Sequence, residues 1–129
     1  MAMDSTDAPQ IIEHINKSVS FTPSETKWIP FSARFLAAGI TPKAKGALTV
    51  YEMNGGDAMP IHELIKDNGI KCGTFGACPS LEDRKFAVGD YAGVLSINDL
   101  EEGGTKPIFN VQAHAGIVNC IDGIGGATR

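Results

Sequence analysis

Two stretches of the chain alternate apolar and polar side chains with the period of a β-strand, and the two match each other. Gly46-Ala47-Leu48-Thr49-Val50-Tyr51-Glu52-Met53 and Gly93-Val94-Leu95-Ser96-Ile97-Asn98-Asp99-Leu100 agree in identity or type at six of eight positions, at an offset of 47 residues. Alternation places Leu48 and Val50, and likewise Leu95 and Ile97, on one face of a strand, with Thr49 and Ser96 on the other. The apolar face is expected to be buried in both copies. An Ile97→Asp change is then expected to cost several kcal/mol through an unpaired buried charge.

The repeat extends to both sides of this pair. Ala33 to Gly39 corresponds to Arg84 to Gly89, and each reaches its successor through a short turn flanked by glycines, Ile40 to Lys45 or Asp90 to Ala92. Lys27-Trp28-Ile29 and Ile70-Lys71-Cys72 open the two units. A third opener, Ile117-Val118-Asn119-Cys120-Ile121-Asp122, follows 48 residues later, counted from Cys72 to Cys120. Ile61 to Ile65 and Ile108 to Val111 close the units. Ile61, Leu64 and Ile65 also fit a helical face after Pro60, and only the repeat context favours a strand there. Ser80 to Lys85 reads as a loop. Four short strands at a period in the forties is the pattern of a propeller blade, whereas a plain β-sandwich needs no repeat.

Composition fits this reading. The 129 residues are 43% hydrophobic and 20% charged, with 15 glycines and 7 prolines, a soluble chain rich in turn-formers. The net charge of −4 is spread thinly, with a small basic cluster at Lys43 and Lys45. No basic stripe marks a nucleic-acid binder, and the acidic start with Asp4 and Asp7 is expected to be neither a secretory signal nor a membrane anchor. The cytoplasm is the expected compartment.

Candidate chemistry is sparse. Cys72, Cys78 and Cys120 lack the paired spacing of a zinc site and read as packed free thiols. A nucleophilic cysteine needs an electropositive, part-exposed setting that nothing near them supplies. His14, His62 and His114 are too far apart for a metal set. Gly123-Ile124-Gly125-Gly126 lacks the Gly-Lys-Ser/Thr ending of a phosphate loop. Trp28, Tyr51, Tyr91 and the phenylalanines could form a cage for a methylated lysine, but their strand contexts favour core packing. No catalytic residue, metal or cofactor is implied, and a small hydrolase is the weakest reading. The turns at Asp67-Asn68-Gly69, Ile40 to Lys45, Asp90-Tyr91-Ala92 and Ala113 to Gly116 are expected on one rim. Asp67, Asp90, Tyr91 and His114 are candidate partner contacts there, against the plainer reading that they shape turns.

Four blocks carry a resemblance: Pro9-Gln10-Ile11-Ile12-Glu13-His14-Ile15, Lys27-Trp28-Ile29-Pro30, Lys71 to Ala77 and Ile121 to Gly126. Through them the chain resembles the WD-repeat β-propellers, and among these the Monad-type axonemal dynein assembly factors, from Pro9 to Gly126. The generic marks of the repeat are weak: Tyr51-Glu52 and Asn98-Asp99 stand for Trp-Asp, and Ala113-His114 for Gly-His. Ala92 stands where the turn aspartate is expected, and Ala127-Thr128-Arg129 departs from the family pattern.

The resemblance implies an all-β fold, a partial propeller of about two four-stranded blades plus one strand of a third and an N-terminal closing strand. The expected divisions are a disordered 1–8, the closing strand and linker at 9–25, blades at 26–65 and 70–111, the start of a third blade at 113–126, and a tail at 127–129. It further implies a non-catalytic scaffold acting as a co-chaperone in cytoplasmic dynein preassembly. The implied partners are a prefoldin-like complex with Pontin and Reptin, and dynein heavy chains as clients, with a link to apoptosis. Neither nucleic acid nor membrane is implied as a partner. A truncated fragment with no autonomous function remains the alternative. Such a fragment is expected to be marginally stable, poorly protected at both ends, and prone to associate through open edges.

Overall fold

The computed structural model describes residues 8–76, 80, 82, 84–100 and 107–124. Cys78, positions 81 and 83 of the expected loop between Ser80 and Lys85, residues 1–7 and the tail at 127–129 lie outside these. The described chain forms eight strands in two antiparallel four-stranded sheets. The first sheet takes β1 (Thr22–Trp28), β2 (Arg34–Ile40), β3 (Gly46–Asn54) and β4 (Asp57–Lys66) in sequence order. The second takes β5 (Ile70–Thr74), β6 (Lys85–Asp90), β7 (Val94–Asp99) and β8 (Pro107–Gln112) in the same way. Two consecutive up-and-down sheets of this kind are consistent with neighbouring blades of a partial β-propeller. Ile61 to Ile65, ambiguous in sequence, is strand. Its residues pair with β3, with Leu64 opposite Leu48 and Ile65 opposite Ala47.

Register decides which face each residue takes, because directly opposed residues share a side. In the first sheet Leu36 lies opposite Val50 and Ala38 opposite Leu48. This face meets the second sheet, where Ile70, Phe75, Phe86 and Val88 complete a single apolar cluster with Ile29. Fully burying a large apolar side chain stabilises by about 1.5–3 kcal/mol, so this layer dominates the fold. Arg84 spans the same junction, its Nε donating to Pro30 O at 3.0 Å and its Nη2 to Phe31 O at 2.6 Å.

Leu95 and Ile97 depart from expectation. The alternation holds, but in β7 the buried positions are Ser96 and Asn98, and Leu95 and Ile97 are only half-buried. The pairings explain this. Ala87 opposite Ile97 and Gly89 opposite Leu95 place that face on the side away from the first sheet. Ser96 and Asn98, paired with Val88 and Phe86, lie in the inter-sheet layer instead. Thr49 is likewise buried, 6% exposed, on the outer face of the first sheet. Trp28, expected in the core, is 63% exposed on that outer face, edge-on to Phe35, which stacks on Tyr51.

The closing strand expected at Gln10 to Ile15 is not a strand. Residues 9–19 carry no strand, and no ladder partner among the described residues lies beside them. The segment is extended over the outer face of the first sheet, where Ile15 and Val19 pack against a cluster of Phe21, Ala37, Ala47, Tyr51 and Ala58. Lys17 pairs with Asp57 at 3.1 Å. Its hydrogen bond is the main cause holding the Asp57 carboxyl below the ordinary value. The tie is therefore present above the ordinary carboxylate range and is lost as pH falls through that lowered value. The third opener also lacks strand structure, yet Val118 within it is buried.

One contact recurs with the repeat. Ser24 Oγ donates to Ile70 O at 2.6 Å, and Cys72 Sγ donates to Val118 O at 3.4 Å, both across the same sequence separation. Each ties the opening strand of one sheet to the opener that follows. The Cβ of any larger residue at Gly89 would strike the Val118 side chain. Val118 thus sits on the second sheet as Ile70 sits on the first.

Charge insertion separates the two apolar faces. Val50→Asp should abolish the cooperative urea transition, because Val50 is in the inter-sheet layer, whereas Ile97→Asp should lower stability by only about 1 kcal/mol. Equal losses would show that the two faces are assigned wrongly. Thiol reactivity tests the recurring contact. Burial raises the Cys72 thiol above its ordinary value, so it stays protonated at neutral pH. In a Cys78→Ser chain the exposed Cys120 should react with a disulfide reagent at once and Cys72 only after unfolding. Fast labelling of both would disprove the burial of Cys72.

Candidate interaction rim

Four connections come together at one end of the sheets: hydrogen bonds lock three of them to each other, and the β2–β3 turn meets them by packing. The β6–β7 turn is organised by Asp90. Its Oδ1 accepts from Ala92 N at 2.9 Å and Val94 N at 2.8 Å, and its carbonyl accepts from Val118 N at 3.0 Å. Short acidic side chains that bond the backbone two residues on are natural turn formers. Gly93 follows at φ +86, and a Cβ there would strike His114 O. Only glycine suits both demands.

From this turn, bonds reach the neighbouring connections. Tyr91 N donates to Gly69 O at 2.9 Å, joining the turn to the β4–β5 link Asp67-Asn68-Gly69. Gly93 O accepts from Ala113 N at 2.9 Å and His114 N at 3.1 Å. Gln112 Nε2 donates to both Ala92 O and His114 O at 2.7 Å. The β2–β3 turn is closed by Thr41 N donating to Lys45 O at 2.8 Å, and Ile40 packs where a Gly69 side chain would go.

A cleft of about 370 Å³ opens between the sheets at this end, lined among others by Lys66, Asp67, Asn68, Asp90, Ser96 and Asn110. It brings Asp67 and Asp90 together. Tyr91 and His114 stand on the same bonded network but do not line the cleft. Asp67, Tyr91 and His114 are exposed, and Asp90 is half-buried with Oδ1 committed to its own turn. Lys66 escaped the sequence reading. Burial lowers its ammonium pKa, with Asp90 and Asp67 pulling the other way. Its sole signal was a basic residue ending an alternating strand just before Asp67. Asn110 and Ser96 gave none, because their facing depends on register between strands.

The other candidate groups are dispersed. Among the described residues no three His, Cys, Asp or Glu side chains form a group able to hold a metal ion. His14 and His62 are exposed, on the N-terminal segment and on β4. A second, open hollow lies beside Trp28 and Phe35, lined also by Thr26 and Lys27. Its two rings meet edge to face at an interplanar angle of 69° rather than enclosing a cation. Among the described residues no helix is long and apolar enough to cross a membrane.

No protein-family model matches the chain. Individual proteins do. A protein of Chlamydomonas reinhardtii named dynein axonemal assembly factor 10 is 44% identical over 127 residues, 98% of this chain and 35% of its own length. Proteins of the same name from Xenopus laevis and Homo sapiens are 46% and 43% identical, over 93% and 96% of this chain. The chain spans about a third of the length of these curated relatives, 33% and 34% of the last two. Over nearly its whole length, then, this chain is homologous to one third of proteins named as axonemal dynein assembly factors.

Proposed function

We propose that the chain is a non-catalytic protein-binding scaffold that serves in the assembly of axonemal dynein, and that it presents its partners with the rim built on Asp90 and Gly93. The observation that carries the reading is the 44% identity to a dynein axonemal assembly factor over 98% of the chain. The geometry agrees with a binding rather than a catalytic role. The rim offers exposed polar side chains and an amphipathic ring, Tyr91, on turns that are already rigid. Preformed turns lose little conformational freedom on binding, which is how such surfaces gain affinity.

In finer terms, we place this action in the cytoplasm, as a co-chaperone working with a prefoldin-like complex that contains Pontin and Reptin. Dynein heavy chains are its clients, and a contribution to apoptosis regulation belongs to the same proposal. Asp67, Tyr91 and His114 are the contacts we assign to partners. Asp90 contributes by shaping the turn that carries Tyr91. The exposed apolar side chains Trp28, Ile65, Phe109 and Val111 favour a second reading, in which the chain has no function by itself and acts only inside a larger assembly.

The test is capture from an extract of cells building cilia, using the full chain as bait. Wild type should retain axonemal dynein heavy chains together with Pontin and Reptin. A combined Asp67→Lys, Tyr91→Ala and His114→Ala variant should retain roughly tenfold less or lower still, the order expected when interface anchors are truncated. Equal capture by the variant would remove the rim. Absence of all three partners from the wild-type eluate would remove the adaptor role.

A further inference from the structure

The layer between the two sheets turns polar toward the rim. Leu64 of β4 lies opposite Leu48 on the face that meets the second sheet, and Lys66, opposite Gly46, comes next on that face. Its stem passes close to Gly46, where an added Cβ would lie 3.1 Å from the Lys66 side chain. A lysine thus ends a row begun by leucines, and it lines the cleft between the sheets. The second sheet meets it with Ser96 and Asn110, a directly opposed pair on β7 and β8 that line the same cleft. Asn68 joins them from the β4–β5 link. The cleft is therefore bounded by two sheets that already pack on each other.

What the cleft lacks is a counter-ion of its own. Lys66 is half-buried, and burial lowers its ammonium pKa although Asp90 and Asp67 pull the other way. Among the described residues it forms no ion pair with either carboxylate. Asp90 commits Oδ1 to Ala92 N and Val94 N, and Asp67 is exposed. The Ser96 hydroxyl and the Asn68 and Asn110 amides likewise have no hydrogen-bond partner among the described residues. A partly desolvated ammonium is costly until an anion joins it, and the hydroxyl and amides beside it can donate as well. Their complement is a group that only accepts. Asp67 and Asp90 hold down the positive potential, which selects a single negative charge over a polyanion.

We propose that this cleft binds the carboxylate of an aspartate or glutamate side chain on a partner polypeptide, with Lys66 as counter-ion and Ser96 and Asn110 as donors. The inference rests on the reading of the rim as a partner-binding edge and names the chemistry that edge selects. At about 370 Å³ the cleft has room for a whole acidic side chain. Charge-assisted bonds of this kind are roughly twice as strong as neutral ones.

Amide chemical shifts of the full chain, titrated with the capped tripeptide Gly-Glu-Gly, test this. The peptide should shift the backbone amides of Asn68, Ser96 and Asn110 saturably, and capped Gly-Gln-Gly should not. Lys66→Met, which keeps the stem between the sheets, should weaken binding about tenfold. Ser96→Ala, which leaves the charge in place, should weaken it about threefold. The dispersion of each variant's amide spectrum reports its folding. Four results would each overturn the proposal: no saturable shift, equal shifts with the glutamine peptide, full binding by either folded variant, or tighter binding of inorganic phosphate than of the glutamate peptide. The last marks a free-phosphate site. Capture of dynein from extract reads the rim through Asp67, Tyr91 and His114, so either result can fail while the other stands.

Discussion

The packing of one four-stranded sheet against the next is the constraint on which the rest of this structure depends. A single sheet has two faces to cover, and a meander can cover neither by itself. Leu36, Ala38, Leu48 and Val50 are dry only because Ile70, Phe75, Phe86 and Val88 lie on them. The rim inherits its rigidity from this layer. Lys66, Asp67 and Asn68 leave the first sheet at its edge, and Asp90 leaves the second, so the cleft between them exists only while the sheets are joined. Arg84, bonded to the carbonyls of Pro30 and Phe31, adds a second bridge across the junction.

The repeated bond between an opening strand and the next opener carries the same logic in polar form. Ser24 reaches Ile70 O and Cys72 reaches Val118 O. A hydroxyl makes a strong bond at 2.6 Å, and a thiol makes a weaker one at 3.4 Å. Cys72 gains in return the apolar character that suits its buried place beside Gly89 and Val118. Packing thus explains Cys72, whose burial also disfavours the thiolate that nucleophilic chemistry needs, whereas Cys120, expected to be packed, is exposed.

How much of this was legible beforehand depended on whether a feature is local. The strands and turns were readable, because period-two alternation and glycine spacing act within a few residues. Gly93 and Asp90 announce their turn in the same way. Facing was not readable. Leu95 and Ile97 alternate just as Leu48 and Val50 do, yet only the earlier pair is covered, because cover depends on the sheet that comes next. Trp28 misled for the same reason, since an apolar strand context says nothing about which face has a neighbour. The N-terminal segment shows the limit from the other side. Gln10 to Ile15 has strand-like residues, but a strand exists only beside an edge that offers its hydrogen bonds. Of the four rim residues, Asp67 and Asp90 share a cleft through a tertiary approach that no motif encodes.

Asn98 marks where the repeat sacrifices stability. It stands in the second sheet where Tyr51 stands in the first, fully buried against Phe86, and among the described residues neither its amide nitrogen nor its oxygen has a hydrogen-bond partner. An unsatisfied buried polar group costs about 1–3 kcal/mol. Tyr51, at the equivalent place, instead stacks on Phe35 at 5.2 Å. The layer tolerates the loss because its other contributors are apolar and enclosed, so the deficit falls on one position of a joint that has many. A tyrosine at position 98 would have to enter a layer already filled by Phe75 and Phe86, whose rings lie 4.8 Å apart. The smaller amide leaves that aromatic pair in place. The two sheets thus keep an aromatic ring at the same repeat position, Phe35 and Phe86, and differ in the residue across the ladder from it, Tyr51 in the first and Asn98 in the second.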